Sequence, residues 1–201
     1  MVQPKILLTR IDDRFICGQD IELWNEATGS NLVLIVNDEI AADSRKWAPM
    51  RVATPEGVWT RFFSVQRTVD IIHTATPRQW ILIMVASPTD ALALVKGGVP
   101  ITKISIGHMQ AGEGKHPITP AVAVDGADVA SLKELQKLGI ELEIRYLPSS
   151  APDPIDNLFN RSLGDGGKRI ILPLRGTRAM LPVKNNAHLL RLIGYRRACR
   201  I

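Results

Sequence analysis

An α/β fold, with a mostly parallel sheet covered by helices on both faces, is what the sequence predicts, on three observations. Apolar runs of strand length alternate about six times with segments of helical periodicity, the pattern of βαβ crossovers. Two of those runs, Leu32-Val33-Leu34-Ile35-Val36 and residues 80–85, are apolar throughout, as strands buried on both faces must be. Helix punctuation falls between the runs, most plainly at Ser87-Pro88-Thr89-Asp90, an N-cap, a first-turn proline and an acid three residues on.

In chain order, residues 6–8 form the first strand and 20–27 a helix stopped by Gly29; residues 32–36 are the second strand. Residues 39–51 read as helix, with Pro49 breaking or kinking its end. Gly57 introduces a strand over 58–63, and apolar positions 65, 69 and 72 place a helix over 65–75. Strand 80–85 and a helix from Ser87 to the Gly97-Gly98 stop follow. Residues 103–106 are the next strand, 107–114 a glycine-rich loop and 121–124 a further strand. Asp125 caps a helix carrying Val129, Leu132, Leu135 and Leu138 on one face, which Gly139 ends. The last strand, 141–146, is closed by Pro148.

Composition narrows the function. The chain has 201 residues, enough for one domain with a sizeable core. Its net charge of +5 is unevenly spread: residues 1–160 carry −4 and residues 161–201 carry +9. The body therefore lacks the basic footprint of a nucleic-acid binder, and no metal-ligand spacing or nucleotide-binding glycine motif is present. We expect a domain over 1–160 and a basic, flexible C-terminal tail over 161–201, with Gly164-Asp165-Gly166-Gly167 as linker. No apolar stretch reaches the length of a membrane span, and no signal peptide is visible. Two distant cysteines, Cys17 and Cys199, favour a reducing cytosol.

The chemistry is concentrated in Arg10-Ile11-Asp12-Asp13-Arg14-Phe15-Ile16-Cys17-Gly18-Gln19. Four charges in five residues read as a loop at the C-terminal end of the first strand, where open α/β sheets bind ligands. Cys17 then stands at a helix N-terminus near Arg10 and Arg14, a setting that lowers a thiol's pKa. The plain alternative is a surface ion pair beside a small buried cysteine.

This decapeptide resembles the active-site loop of the IIB components of mannose/sorbose-type sugar phosphotransferase systems, R-[IV]-D-D-R-[LF]-[IV]-H-G-Q, at nine of ten positions. The departure is Cys17, which stands where the family carries its phosphorylated histidine. Val36-Asn37-Asp38-Glu39, Ala53-Thr54-Pro55-Glu56-Gly57-Val58, Gly98-Val99-Pro100-Ile101, Ile104-Ser105-Ile106-Gly107 and residues 139–148 resemble further family segments in the right order.

The resemblance implies a Rossmann-like α/β sandwich of about seven strands, so six to seven in all. It implies a phosphoryl relay from a IIA phosphohistidine to a sugar, with no cofactor and no metal. The partners would be IIA and the membrane IIC/IID components, at the inner face of the membrane. Homo-oligomerisation stays open. Cys17 takes the acceptor position, with Arg14 steadying the phosphoryl group. Arg10, Gly18, Gln19 and Lys115 would add phosphate-binding charge or N–H groups, and Asp12 and Asp13 would hold the arginines. A thiolate is a competent acceptor, so the relay through phosphocysteine is one reading. A phosphoryl-inactive IIB homologue with a regulatory or binding role is the other. His108, in the glycine-rich loop, is either a displaced acceptor or a solvated histidine.

Overall fold

Seven strands make the main sheet of the computed structural model, which describes residues 4–15, 19–156 and 159. In chain order the elements are β1 (Lys5–Asp12), α1 (Gln19–Thr28), β2 (Leu32–Val36), α2 (Asp38–Ala42), α3 (Trp47–Val52), β3 (Trp59–Phe63), α4 (Val65–Ile71) and β4 (Trp80–Val85). They continue with α5 (Pro88–Lys96), β5 (Lys103–His108), β6 (His116–Thr119), β7 (Val122–Val124), α6 (Gly126–Lys137), β8 (Glu141–Ile144) and β9 (Asp153–Pro154). The sheet order is β3-β2-β4-β1-β5-β8-β9, parallel except for the edge strand β9.

Alternation along the strands fills two cores. Leu32, Leu34, Val36, Ile81, Ile83 and Val85 pack with Leu94 of α5 and Leu132 and Leu135 of α6. Val33, Ile35, Leu82 and Met84 pack on the other face with Ile21 and Trp24 of α1, Ile40 of α2 and Met50 of α3. The expected sandwich, with helices on both faces, is therefore present. The chain leaves β1 in one direction along the sheet and β4 in the other, and at such a reversal a crevice opens at the strands' C-terminal ends.

Helix ends follow the sequence signals. The Ser87 side chain accepts from the Asp90 amide, and Asp125 and Asp128 close a capping box on α6. Elsewhere the structure departs from expectation. Residues 39–51 are not one helix: Asp43 ends α2 and caps a 3-10 turn, and Pro49 sits harmlessly in the first turn of α3, where its missing N–H costs nothing. The strand expected over 121–124 pairs with β6 in a separate antiparallel hairpin rather than in the main sheet.

The largest departure concerns the charged decapeptide. Arg10, Ile11 and Asp12 are not loop but the last three residues of β1, and Arg10 and Asp12 are buried. They can be there because their charges satisfy each other within the fold. Among the described residues, no helix is long and apolar enough to cross a membrane. The tail expected over 161–201 lies outside the described residues.

Candidate active site

Arg10 anchors the sheet edge from below. Its side chain, only 1% exposed, reaches from β1 across β5 and donates to the main-chain oxygens of Arg145 (2.8 Å) and Tyr146 (3.0 Å) just past β8. It passes over Gly107, where a Cβ would overlap the guanidinium. The ring of Trp24 from α1 covers the other side, 4.5 Å from ring centre to guanidinium carbon. Burial pushes the Arg10 pKa down, and the Asp12 carboxylate opposes that.

Asp12 joins the two arginines. One carboxylate oxygen accepts from the Arg14 amide (3.2 Å) and Nε (3.0 Å). The other accepts from Nη2 of Arg14 (3.0 Å) and of Arg10 (3.3 Å). Arg14 also reaches Asp20 in the first turn of α1 (3.2 Å) and lies over the ring of Tyr146, 5.7 Å from its centre. Burial works against the Arg14 charge, but its hydrogen bonds and attraction to Asp12, joined by Tyr146, hold its pKa above the ordinary value. The side chain remains 17% exposed, so a fixed cation faces the crevice.

The turn after β1 carries backbone strain. Phe15 has φ 55°, a left-handed conformation uncommon for a bulky residue and worth roughly 1–3 kcal/mol of strain. Its amide bonds the Asp12 carbonyl (2.9 Å), and its buried ring packs among Ile21 and Trp24, which offsets the cost. Helix α1 begins at Gln19.

Asp13 has a different task from the one expected. It holds neither arginine. One oxygen lies 2.6 Å from His108 Nδ1, and the other accepts from the Gln110 amide at 2.6 Å. His108 is thus neither solvated nor in a loop: it is the last residue of β5, half-buried and oriented by a carboxylate. Asp12, Asp13 and His108 bring one donor atom each within 4.8 Å of one another. A cation would have to displace two arginines from Asp12 and the Gln110 amide from Asp13, so these residues suit an anion-facing site better than a metal.

The structure brings Arg10, Asp12, Arg14 and the start of α1 together, with Asp13 and His108 beside them. Lys115 is bonded instead to Asp128 (2.8 Å) in the first turn of α6. Cys17 and Gly18 lie outside the described residues, as does the side chain of Gln19. Asp20, Trp24, Gly107 and Tyr146 complete the group but were given no site role from the sequence. Trp24, Gly107 and Tyr146 act through Arg10 or Arg14 on a different element, and Asp20 meets Arg14 across the turn after β1.

Residues 6–165 match the model of the family described as the PTS system sorbose subfamily IIB component. The chain belongs to that family. It is 40% identical over 156 residues to the N-acetylgalactosamine-specific phosphotransferase enzyme IIB component 2 of Escherichia coli K12, covering 78% of this chain and 98% of that protein. It is 32% identical to the sorbose-specific EIIB component of Klebsiella pneumoniae, over 78% of this chain and 94% of that one. Among solved structures, the IIB domain of the K. pneumoniae sorbose permease superposes with a TM-score of 0.74 at 31% identity, covering 79% and 98%. The N-acetylgalactosamine IIB component of Streptococcus pyogenes gives 0.73 at 34%, covering 78% and 99%. This IIB component is accordingly a phosphoryl-relay protein of a sugar phosphotransferase system.

Proposed function

We propose that this IIB component takes its phosphoryl group on Cys17, with Arg14 as the cation that meets the phosphoryl oxygens. The observation that carries the proposal is Arg14, fixed by Asp12 and Asp20 on either side of the segment that holds Cys17. In the first step the N–P bond of the IIA phosphohistidine breaks as the Cys17 thiolate forms an S–P bond, and the donor imidazole keeps the electron pair. In the second a sugar hydroxyl oxygen attacks phosphorus, the thiolate leaves, and the hydroxyl proton passes to solvent. Little covalent work falls to the protein, so positioning and charge carry the catalysis. A charge-assisted contact of the Arg14 kind contributes ~1.5–3 kcal/mol.

Gln19, the first residue of α1, and Gly18, which precedes it in the sequence, would add N–H donors to the phosphoryl group. Arg10 is too deeply buried to meet phosphate in this arrangement and supports the site through Asp12. Lys115 has its charge paired with Asp128 and is given no phosphate-binding role. The sugar is an N-acetylated hexosamine, as the names of the relatives at 40% and 33% identity suggest. The protein acts in the cytoplasm, held at the membrane's inner face through IIC/IID. Residues 161–201 form a separable basic tail, a reading supported by the family match, which ends at residue 165.

The test is incubation with phosphoenolpyruvate, the general phosphotransferase proteins and a cognate IIA, followed by intact mass. Wild type gains one phosphoryl group and Cys17→Ser gains none. Labelling of Cys17→His alone would overturn the proposal and mark a phosphoryl-inactive homologue with a preserved cradle.

A further inference from the structure

Among the described residues the sheet ends at β3, and no strand pairs with its outer edge. The Trp59 amide bonds Asn31, and the Phe63 carbonyl accepts from Asn37, both on the β2 side. Strand alternation therefore turns the N–H and C=O groups of Thr60 and Phe62 outward. Among the described residues, the one bond there is from the Arg61 side chain to the Thr60 carbonyl, at 3.1 Å.

A groove accompanies the open edge. Because α4 is only seven residues long, it leaves part of the sheet face uncovered. Two adjoining cavities of about 300 and 280 Å³ lie there, sharing Leu32, Arg61, Thr76 and Gln79. Phe63, Leu34 and Ile72 make one end apolar, while Trp59, 66% exposed, and Arg78 line the other. Arg61 lies over the Trp59 ring, 5.4 Å from its centre. Both charged residues in the lining are arginines, with no acidic group among them.

We propose that the outer edge of β3 and this groove receive an extended acidic segment of a partner protein, which adds to the sheet as a further strand. Main-chain bonds to Thr60 and Phe62 supply the pairing, and alternate side chains of the segment enter the groove. Charge decides the occupant. Full-length antiparallel pairing of two copies would set Arg61 against Arg61, a destabilising like-charge pair, whereas acidic side chains meet Arg61 and Arg78. The edge is three strand spacings, about 14 Å, from β1, so it can be occupied while the phosphoryl site is free.

The experiment uses the full chain and a blocked peptide of alternating glutamate and valine, read by amide shifts and hydrogen exchange. Shifts centred on Thr60 and Phe62, with exchange at those amides slowed at least ~10-fold, are expected. The lysine–valine peptide and the glutamate–valine peptide N-methylated at alternate residues should leave them unchanged. Arg61→Glu, outside the phosphoryl site, should keep phosphoryl labelling, weaken the acidic peptide at least ~10-fold and admit the basic one. Unaltered Thr60 and Phe62 exchange with millimolar acidic peptide would overturn the proposal. So would equal binding of both peptides, or protection of this edge by self-association alone.

Discussion

Replacing Gly107 by alanine tests whether the buried arginine determines the shape of the sheet edge. Gly107 has no positive φ, so alanine meets no backbone penalty there. On an open site the change would stabilise by roughly 0.4–1 kcal/mol, through a less flexible unfolded chain. Here the new methyl would occupy the space of the Arg10 guanidinium. Arg10 must then give up its bonds to Arg145 and Tyr146, each charge-assisted and each contributing ~1.5 kcal/mol or more. Its stacking on Trp24 would suffer as well. Allowing for partial relaxation, we expect a net loss of about 2–4 kcal/mol. Urea unfolding followed by circular dichroism should show a lower midpoint with an unchanged slope. The decisive comparison is a double-mutant cycle. In an Arg10→Ala background, which carries its own cost, Gly107→Ala should be neutral or slightly stabilising, a coupling of about 3 kcal/mol. If Gly107→Ala is harmless in wild type, or costs the same in both backgrounds, the steric argument fails.

Three further outcomes follow from the same geometry. Asp12→Asn leaves one fully buried and one partly buried guanidinium without their shared counter-charge and should cost ~3 kcal/mol by denaturant unfolding while sharply slowing phosphoryl labelling. The Lys103 pKa is raised by hydrogen bonds to Glu141 and Glu143. That stability is therefore full below the unfolded lysine value of ~10.4 and is lost as pH rises through the folded value, so Lys103→Met should flatten the alkaline limb of a stability–pH profile relative to wild type. Truncation after Gly164 should keep a single cooperative thermal transition with little change in midpoint, and loss of that transition would show that the basic tail belongs to the folded domain.

The alternation of apolar runs and capped helices made the parallel sheet legible in the sequence, because strands buried on both faces and Ser or Asp caps leave local marks. What was not legible depends on distant partners. Arg10 and Asp12 read as loop residues, since isolated charges do not survive burial; only β5 and the carbonyls beyond β8 reveal that Arg10 has acceptors. His108 read as a loop histidine, either a displaced acceptor or solvated, because its partner, Asp13, lies 95 residues away. The β6–β7 hairpin escaped notice because His116–Thr119 contains a proline and is partly exposed, so its pattern carries no strand period. At the site, the resemblance pointed to Arg14, three residues before Cys17, but that Asp12 and Asp20 clamp its side chain became visible only in the fold.

The account's central claim is that Cys17 carries the phosphoryl group beside Arg14. Its most direct test is peptide mapping of the chain labelled through IIA, with fragments analysed at neutral pH. The account predicts phosphorus on the peptide containing Cys17, lost in Cys17→Ser and unaffected by His108→Ala. Phosphorus on His108, or none on wild type while Cys17→His is labelled, would contradict it.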